Sequence, residues 1–258
     1  MFDPDQITMA FQPIVDINEG GKPCAYEALV RGVDGEPAST IMSRISVGDE
    51  FEFDAYCRSL AVQMAQSLGL DCQLSVNVSP GAFCSPQFGI HSTIRTARNV
   101  GFPCDRLIFE VTEHEPFLDL TRLCRLFAAC RSRGIKIALD DFGSGYAGLN
   151  TLLLLKPDIV KLDIGIISRI DGDENKQALV RGIMITCESI GITVVAEGVE
   201  TEAEVDALRS LGVRFLQGFL FARPIPGVLP VPKRWSPPGP SRLPRHSSRV
   251  QEPRSPVT

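Results

Sequence analysis

Charged and amide side chains recur at the ends of the apolar, strand-like segments of this 258-residue chain. The run "IALDD" stops at two adjacent carboxylates, Asp140 and Asp141. The other strand-like runs end in or beside Glu27 and Arg31, Asn77, Glu110 and Glu113, Lys161 and Asp163, Glu197 and Glu200, and Gln217. A single polar residue is expected wherever a strand reaches water. Seven polar strand ends in succession instead indicate one shared site.

Such a site would gather many carboxylates, which repel one another unless cations neutralise them. The chain has only three histidines, none of them in these segments. Oxygen ligands alone favour Mg²⁺ or Mn²⁺ over Zn²⁺. Two such ions, about 3.5–4 Å apart, would hold the attacking and leaving oxygens of a phosphate during in-line displacement. Lys161 would be available to orient the water or to offset charge in the transition state.

The adjacent pair Asp140 and Asp141 poses a geometric problem, because successive residues of a strand face opposite sides. Both side chains can point inward only if the strand ends between them. One carboxylate could then bridge two ions while its neighbour binds the second.

The elements that carry these residues alternate between short apolar strands and amphipathic helices, giving about eight strands. Strands that are apolar on both faces and joined by single helices predict a mostly parallel sheet covered on both sides. Eight such units in about 220 residues fit an α/β fold of the TIM-like (β/α)8 barrel type, whereas an open Rossmann sheet more often has six strands. In a barrel, the carboxyl ends of the strands meet at one mouth.

A Rossmann alternative arises from Gly143, Gly145 and Gly148, which spell G-x-G-x-x-G, with Asp163 twenty residues after the first glycine. In a dinucleotide-binding fingerprint the first glycine follows the strand at once. Here two carboxylates stand where the pyrophosphate would lie, and the sequence therefore disfavours this alternative.

Composition divides the chain into a folded body, residues 1–227, and a tail, residues 228–258. The tail has eight prolines, six Lys or Arg residues and one acid, and we predict that it is disordered. Because the whole chain has a net charge of −5, the body carries −10. An acidic body argues against a nucleic-acid polymer as partner.

The cellular setting is predicted from cysteines and hydropathy. The eight cysteines form no C-x-x-C pair, which favours reduced core residues over disulfides or a zinc site. The sequence shows neither a signal peptide nor an apolar run of about 18 residues, so no membrane insertion is expected. We expect a soluble, cytoplasmic protein.

Seven ordered motifs carry a family resemblance. They read "YEALVRG" (26–32), "SVNVS" (75–79), "EVTE" (110–113), "LDDFGSGYAGL" (139–149), "KPDIVKLD" (156–163), "VVAEGVET" (194–201) and "QGFLFARP" (217–224). Over about residues 8–226 the chain resembles the EAL-domain cyclic di-GMP phosphodiesterases. The resemblance implies a TIM-like barrel whose first strand is antiparallel to the rest. It also implies hydrolysis of one phosphodiester bond of cyclic di-GMP to linear pGpG with one or two Mg²⁺ or Mn²⁺ ions, Ca²⁺ being inhibitory.

The resemblance assigns roles to individual residues. The implied metal ligands are Glu27, Asn77, Glu110, Asp140, Asp141 and Glu197. Lys161 would hold the catalytic water, and Glu197 is the general base in single-metal accounts, an alternative that the sequence leaves open. Arg31 would pair with a substrate phosphate, while Gln12 and Leu29 would line the guanine side. The implied supporting residues are Glu113, Glu200 and Gln217.

Two further expectations follow from the resemblance. The protein is expected to form a homodimer, and an unidentified regulatory protein is a second partner. The alternative function is a catalytically silent module that binds cyclic di-GMP or a protein. Silent members of the family usually lose metal ligands, whereas this chain keeps every predicted ligand.

Overall fold

The computed structural model of the chain describes residues 2–112, 119–144 and 149–235. Eight strands close a barrel, and a short ninth strand pairs with the first. The strands are β1 Ile7–Asp16, β2 Lys22–Gly32, β3 Gln73–Asn77, β4 Leu107–Thr112, β5 Lys136–Phe142, β6 Ile159–Leu162, β7 Thr193–Ala196, β8 Phe215–Gln217 and β9 Ile225–Pro226. Strands β2 to β8 are parallel neighbours, and β1 closes the ring antiparallel to both β2 and β8. The predicted barrel and its antiparallel first strand are confirmed.

Helices cover the outside of this barrel. In the described ranges the α-helices are α1 Ala38–Met42, α2 Glu50–Ser67, α3 Pro80–Phe83, α4 Ile90–Val100, α5 Leu120–Arg131, α6 Leu149–Leu155, α7 Ile164–Ile167, α8 Glu174–Ser189 and α9 Glu202–Ser210. Short 3-10 turns span Pro4–Gln6, Ile17–Glu19, Cys104–Arg106 and Ile170–Gly172. Within these ranges, no helix combines the length and the apolar character that crossing a bilayer requires.

Strand alternation decides which side chains reach the barrel interior. On β4, Phe109 points outward, where its ring packs edge-on against Phe83 with centroids 6.0 Å apart. Its neighbours Ile108 and Glu110 therefore face inward, because successive strand residues alternate. The apolar packing between strands and helices thus fixes the direction of an acidic side chain on the other face.

The chain stays on the barrel beyond residue 227. The Tyr26 hydroxyl donates a hydrogen bond to the Pro230 carbonyl, and the Trp235 amide donates to the Gly20 carbonyl. Trp235 is buried. The first eight residues of the predicted tail, 228–235, therefore lie against the barrel, and we call them the strap. The buried side chain of Trp235 anchors the end of this strap. The rest of the tail, 236–258, lies outside the described residues.

Candidate metal centre

The ammonium of Lys161 lies at the centre of the carboxyl-end mouth of the barrel. Its Nζ atom is 2.7 Å from Glu197 Oε1, 2.9 Å from Glu110 Oε2, 2.9 Å from Asp140 Oδ1 and 3.4 Å from Glu27 Oε2. These groups come from five strands, β2, β4, β5, β6 and β7, or from the loop directly after the strand. The structure therefore brings five of the predicted site residues together.

Two amides hold Glu27 in place. Asn77 Nδ2 donates to Glu27 Oε1 at 3.0 Å, and Gln217 Nε2 donates to Glu27 Oε2 at 2.7 Å. Gln217 Nε2 also lies 3.3 Å from Gln12 Oε1, and Gln12 Nε2 donates to the Ala222 carbonyl. Burial disfavours the charge on Glu27, but Lys161 and the two amides outweigh it and lower its pKa.

A bulge in β5 brings Asp140 and Asp141 to the same side. Leu139 pairs with Val160 and Phe142 pairs with Leu162, so two aspartates on β5 stand opposite the single residue Lys161 on β6. Asp141 takes a left-handed backbone conformation, with φ of 54°. Such a two-against-one bulge bends the strand and redirects a side chain. The expectation that the strand ends between the aspartates is wrong, because the bulge achieves convergence while the strand continues to Phe142.

Two overlapping groups of acids result. Glu27, Glu110 and Asp140 each offer a carboxylate oxygen within 4.8 Å of the others, and so do Asp140, Asp141 and Glu197. Asp140 belongs to both groups. Five carboxylates and one ammonium give a formal charge of −4 when all are ionised.

Protonation of some of these carboxylates reduces the negative charge when no cation is bound. Burial, with the nearby Asp140 and Glu27 charges, raises the pKa of Glu197 to about 8, although Lys161 opposes the shift. Burial and the charge on Glu27 also raise the pKa of Glu110 well above its ordinary value. Lys161 stays charged. Burial disfavours its charge, but the surrounding carboxylates outweigh burial and raise its pKa. A buried acid cluster of this kind, with oxygen donors only, fits a hard divalent cation.

The β3 end that carries Asn77 is anchored from outside the barrel. The Ser79 amide and hydroxyl donate to Asp54 Oδ2 at 3.1 and 3.2 Å, and Asp54 pairs with the fully buried Arg58. On the other side, the Val78 amide donates to the Glu110 carbonyl at 2.8 Å. The position of Asn77 is thus fixed by helix α2 and by strand β4.

A cavity of about 250 Å³ opens beside the acid cluster. Its lining includes Gln12, Glu27, Asp141, Glu197, Glu200 and Gln217, together with Phe219. Gln217 Oε1 is buried and accepts no hydrogen bond from the described residues.

The other predicted residues lie as follows. Leu29 and Arg31 share the face of β2 that carries Glu27, because they are two and four residues further along the strand. They do not line the cavity among the described residues, and the Arg31 guanidinium donates to the Val30 carbonyl. Glu113 lies outside the described residues.

Sequence reasoning missed two contributors. The buried Ser75 hydroxyl donates to Glu110 Oε1 at 2.5 Å, and its place two residues before Asn77 on the same strand face could have revealed it. The half-exposed Phe219 lies under the guanidinium of Arg223, which is 4.1 Å from the ring centroid. Only the position of Phe219 directly after "QG" could have indicated it.

One glycine allows two backbone segments to pack closely at the mouth. A Cβ atom on Gly218 would lie 1.9 Å from the Val199 carbonyl oxygen, far inside any normal contact. Residues 218 and 199 therefore pack backbone to backbone, one residue after Gln217 and two residues after Glu197.

The family is decided by a match to the EAL domain over residues 1–224. The chain belongs to the EAL domain family. A standalone EAL protein from Vibrio cholerae O395, solved with c-di-GMP bound, is 38% identical with a TM-score of 0.83, over 88% of this chain and 95% of that one. BlrP1 from Klebsiella pneumoniae, solved as a manganese and cyclic di-GMP complex at pH 9.0, is 35% identical with a TM-score of 0.81. That match covers 86% of this chain and 57% of the BlrP1 chain. A calcium and cyclic di-GMP complex of BlrP1 is also similar, with a TM-score of 0.84 and 33% identity, and the match covers 91% of this chain and 60% of the BlrP1 chain.

Among curated relatives of this EAL domain, the cyclic di-GMP phosphodiesterase PdeL from Escherichia coli K12 is 32% identical over 154 residues. That match covers 60% of this chain and 42% of PdeL. The chain spans about half or less of the length of the curated relatives it matches.

Proposed function

We propose that this EAL domain hydrolyses one phosphodiester bond of cyclic di-GMP to linear pGpG with the help of Mg²⁺ or Mn²⁺. The observation that carries the proposal is the convergence of five carboxylates and Asn77 around Lys161, with no predicted ligand missing. The cyclic di-GMP complexes of the Vibrio and Klebsiella relatives support the choice of substrate.

The metal ligands in this proposal are Glu27, Asn77, Glu110, Asp140, Asp141 and Glu197. A bound divalent ion would polarise the phosphoryl oxygens and lower the pKa of a bound water. The two acid groups that share Asp140 support two neighbouring ion positions over one. We assign Lys161 to orienting the attacking water. In the single-ion alternative, Glu197 would accept the proton of that water once a bound cation has displaced its own proton.

Part of the substrate would occupy the 250 Å³ cavity beside the acids, and the rest would extend over the neighbouring face of β2 that carries Leu29 and Arg31. Gln12 and Leu29 are assigned to the guanine side, and Gln217, which donates to Glu27, is assigned a supporting role at the metal centre. Phe219 presents an aromatic face to this cavity, and bases stack on such faces. Arg31 would pair with a phosphate. Glu200 and Glu113 are assigned supporting roles.

The deciding experiment incubates the purified chain with cyclic di-GMP and Mn²⁺ or Mg²⁺ and separates the products. We expect pGpG with either ion and inhibition when Ca²⁺ is added. Tight binding of cyclic di-GMP without product would favour the silent regulatory module, and absence of both would refute the proposed substrate. Asp141→Asn is the matched variant, since asparagine tolerates the left-handed backbone at this position while removing a ligand charge.

We also propose that the protein acts as a homodimer and has an unidentified regulatory protein as a second partner, as the family resemblance implies. Leu153 and Leu154 support an association surface, since both side chains are more than half exposed on α6. Light scattering during size exclusion measures the mass directly.

A further inference from the structure

A second cavity lies inside the opposite, amino end of the barrel. It has a volume of about 270 Å³, and all eight barrel strands contribute to its lining. Lining residues such as Gln73, Lys136 and Thr193 are the first residues of their strands, whereas the metal centre occupies the other ends. The inner end of the cavity reaches Glu110 and Lys161 from below.

Small residues explain why this space is open. A TIM-type barrel is normally filled by layers of bulky branched side chains. Here the corresponding inward positions on β2 and β5 are the buried Ala25 and Ala138. The β1–β2 register shifts between Ile14 and Val15, which pair with Ala25 and Pro23, so that Cys24 is an extra residue and lines the cavity beside Ala25.

The walls of the cavity are mainly apolar. Ile14, Ile108, Ile159, Val195 and Phe215 supply side chains from five strands. An apolar cavity of about 150 Å³ is already large enough to bind benzene. The amino-end cavity therefore has room for a ring with one small substituent.

The rim selects the charge of that substituent. Asp16 is paired with Arg214 through a bidentate contact, and Asp158 is paired with Arg131. Lys136 is exposed and donates to Gln73 Oε1 at 3.3 Å, but it forms no ion pair with a carboxylate of the described residues. The uncompensated charge at this rim is thus positive.

We propose that the amino-end cavity binds a small apolar molecule that carries one carboxylate. The apolar part lies against the wall of isoleucines and Phe215, and the carboxylate accepts hydrogen bonds from the Lys136 ammonium at the rim. The occupant would contact the side of Lys161 and Glu110 that faces away from the metal centre. The site is therefore distinct from the substrate cavity and independent of whether the chain is an active hydrolase.

Benzoate is the probe that tests this proposal, by calorimetry and by ligand-observed saturation-transfer NMR in EDTA. EDTA removes the divalent ions that could hold a carboxylate at the other mouth. We expect saturable binding at one site. Lys136→Gln should weaken benzoate binding about threefold, the scale of an exposed ion pair, and leave benzyl alcohol unchanged.

Two variants close the cavity. Ala25→Leu fills the interior and should abolish binding of both probes. If that variant fails to fold, Thr193→Phe narrows the rim from an exposed position and should have the same effect. Benzoate that does not saturate, or that binds either folded variant as it binds the wild type, would overturn the site. Equal weakening of benzoate and benzyl alcohol by Lys136→Gln would overturn the assignment of a carboxylate.

Discussion

Replacing Lys161 with methionine removes the only cation that contacts the acid cluster within the described residues. The ammonium lies 2.7–3.4 Å from four carboxylate oxygens. At an effective dielectric constant of 20, each contact near 3 Å corresponds to about 5 kcal/mol of Coulomb attraction. The cost of burying the ammonium offsets most of that attraction, and loss of one partner from a buried ion pair typically costs about 3–5 kcal/mol. We expect Lys161→Met to lower the free energy of unfolding by about this amount in EDTA.

The loss should depend on pH in a defined direction. Without Lys161, the pKa values of Glu110 and Glu197 rise further above their unfolded value of about 4.3, and the pKa of Glu27 is no longer lowered by the ammonium, so the native state binds protons that the unfolded state does not. Stability then falls as pH rises. The deficit of Lys161→Met relative to the wild type should be smallest near pH 5.5 and largest near pH 8.5.

Urea unfolding at pH 5.5, 7 and 8.5 measures both effects. Lys22→Met is the matched control, since Lys22 is an exposed lysine at the start of β2, and its loss should change stability by no more than about 0.5 kcal/mol. Equal stability of Lys161→Met and the wild type at pH 8.5 would refute the conclusion that this ammonium holds the carboxylates together.

Three further predictions concern the site. Glu27→Gln keeps the shape of a ligand and removes its charge, and should lower turnover more than about 100-fold, because even residues that orient ligands are worth 10- to 100-fold; near-normal turnover would contradict the ligand assignment. Mn²⁺ affinity, measured by calorimetry, should rise with pH by at least about tenfold per unit below pH 8, since an ion must displace a proton from Glu197, whose pKa burial raises to about 8, and the raised pKa of Glu110 can only steepen this slope. Affinity that is constant with pH would disprove the competition. Gly218→Ala should destabilise the fold because the added Cβ meets the Val199 carbonyl. Gly182→Ala, at an open position in the middle of α8, should instead stabilise the fold by up to about 1 kcal/mol, and thermal melts that rank the two variants alike would refute the packing argument.

The sequence predicted the barrel because alternating strands and helices leave few other arrangements for eight apolar strands. It also predicted which acids converge, since parallel strands end at one mouth. It could not predict how Asp140 and Asp141 converge, because a bulge depends on the register between β5 and β6 and leaves no local signal. The alternation rule was sound, and the strand departed from it at one residue, Asp141.

Other parts of the structure were also missed. Helix α4, Ile90–Val100, was not predicted although its buried residues share one face and Gly101 caps its end, because several β-branched and polar residues give the segment a low helix propensity. The proline-rich composition after residue 227 predicted disorder, but composition gave no weight to Trp235. The amino-end cavity depends on the identity of two alanines on strands far apart in sequence, which no single segment reveals.

The strap that ends at Trp235 also provides an optical probe. Trp235 is the sole tryptophan of the chain, and it is buried where the strap meets the turn between β1 and β2. Its fluorescence therefore reports detachment of the strap, while far-ultraviolet circular dichroism reports loss of the helices and strands. If the two signals change together in urea, the strap and the barrel unfold as one cooperative unit. If fluorescence changes first, the strap detaches while the barrel is still folded.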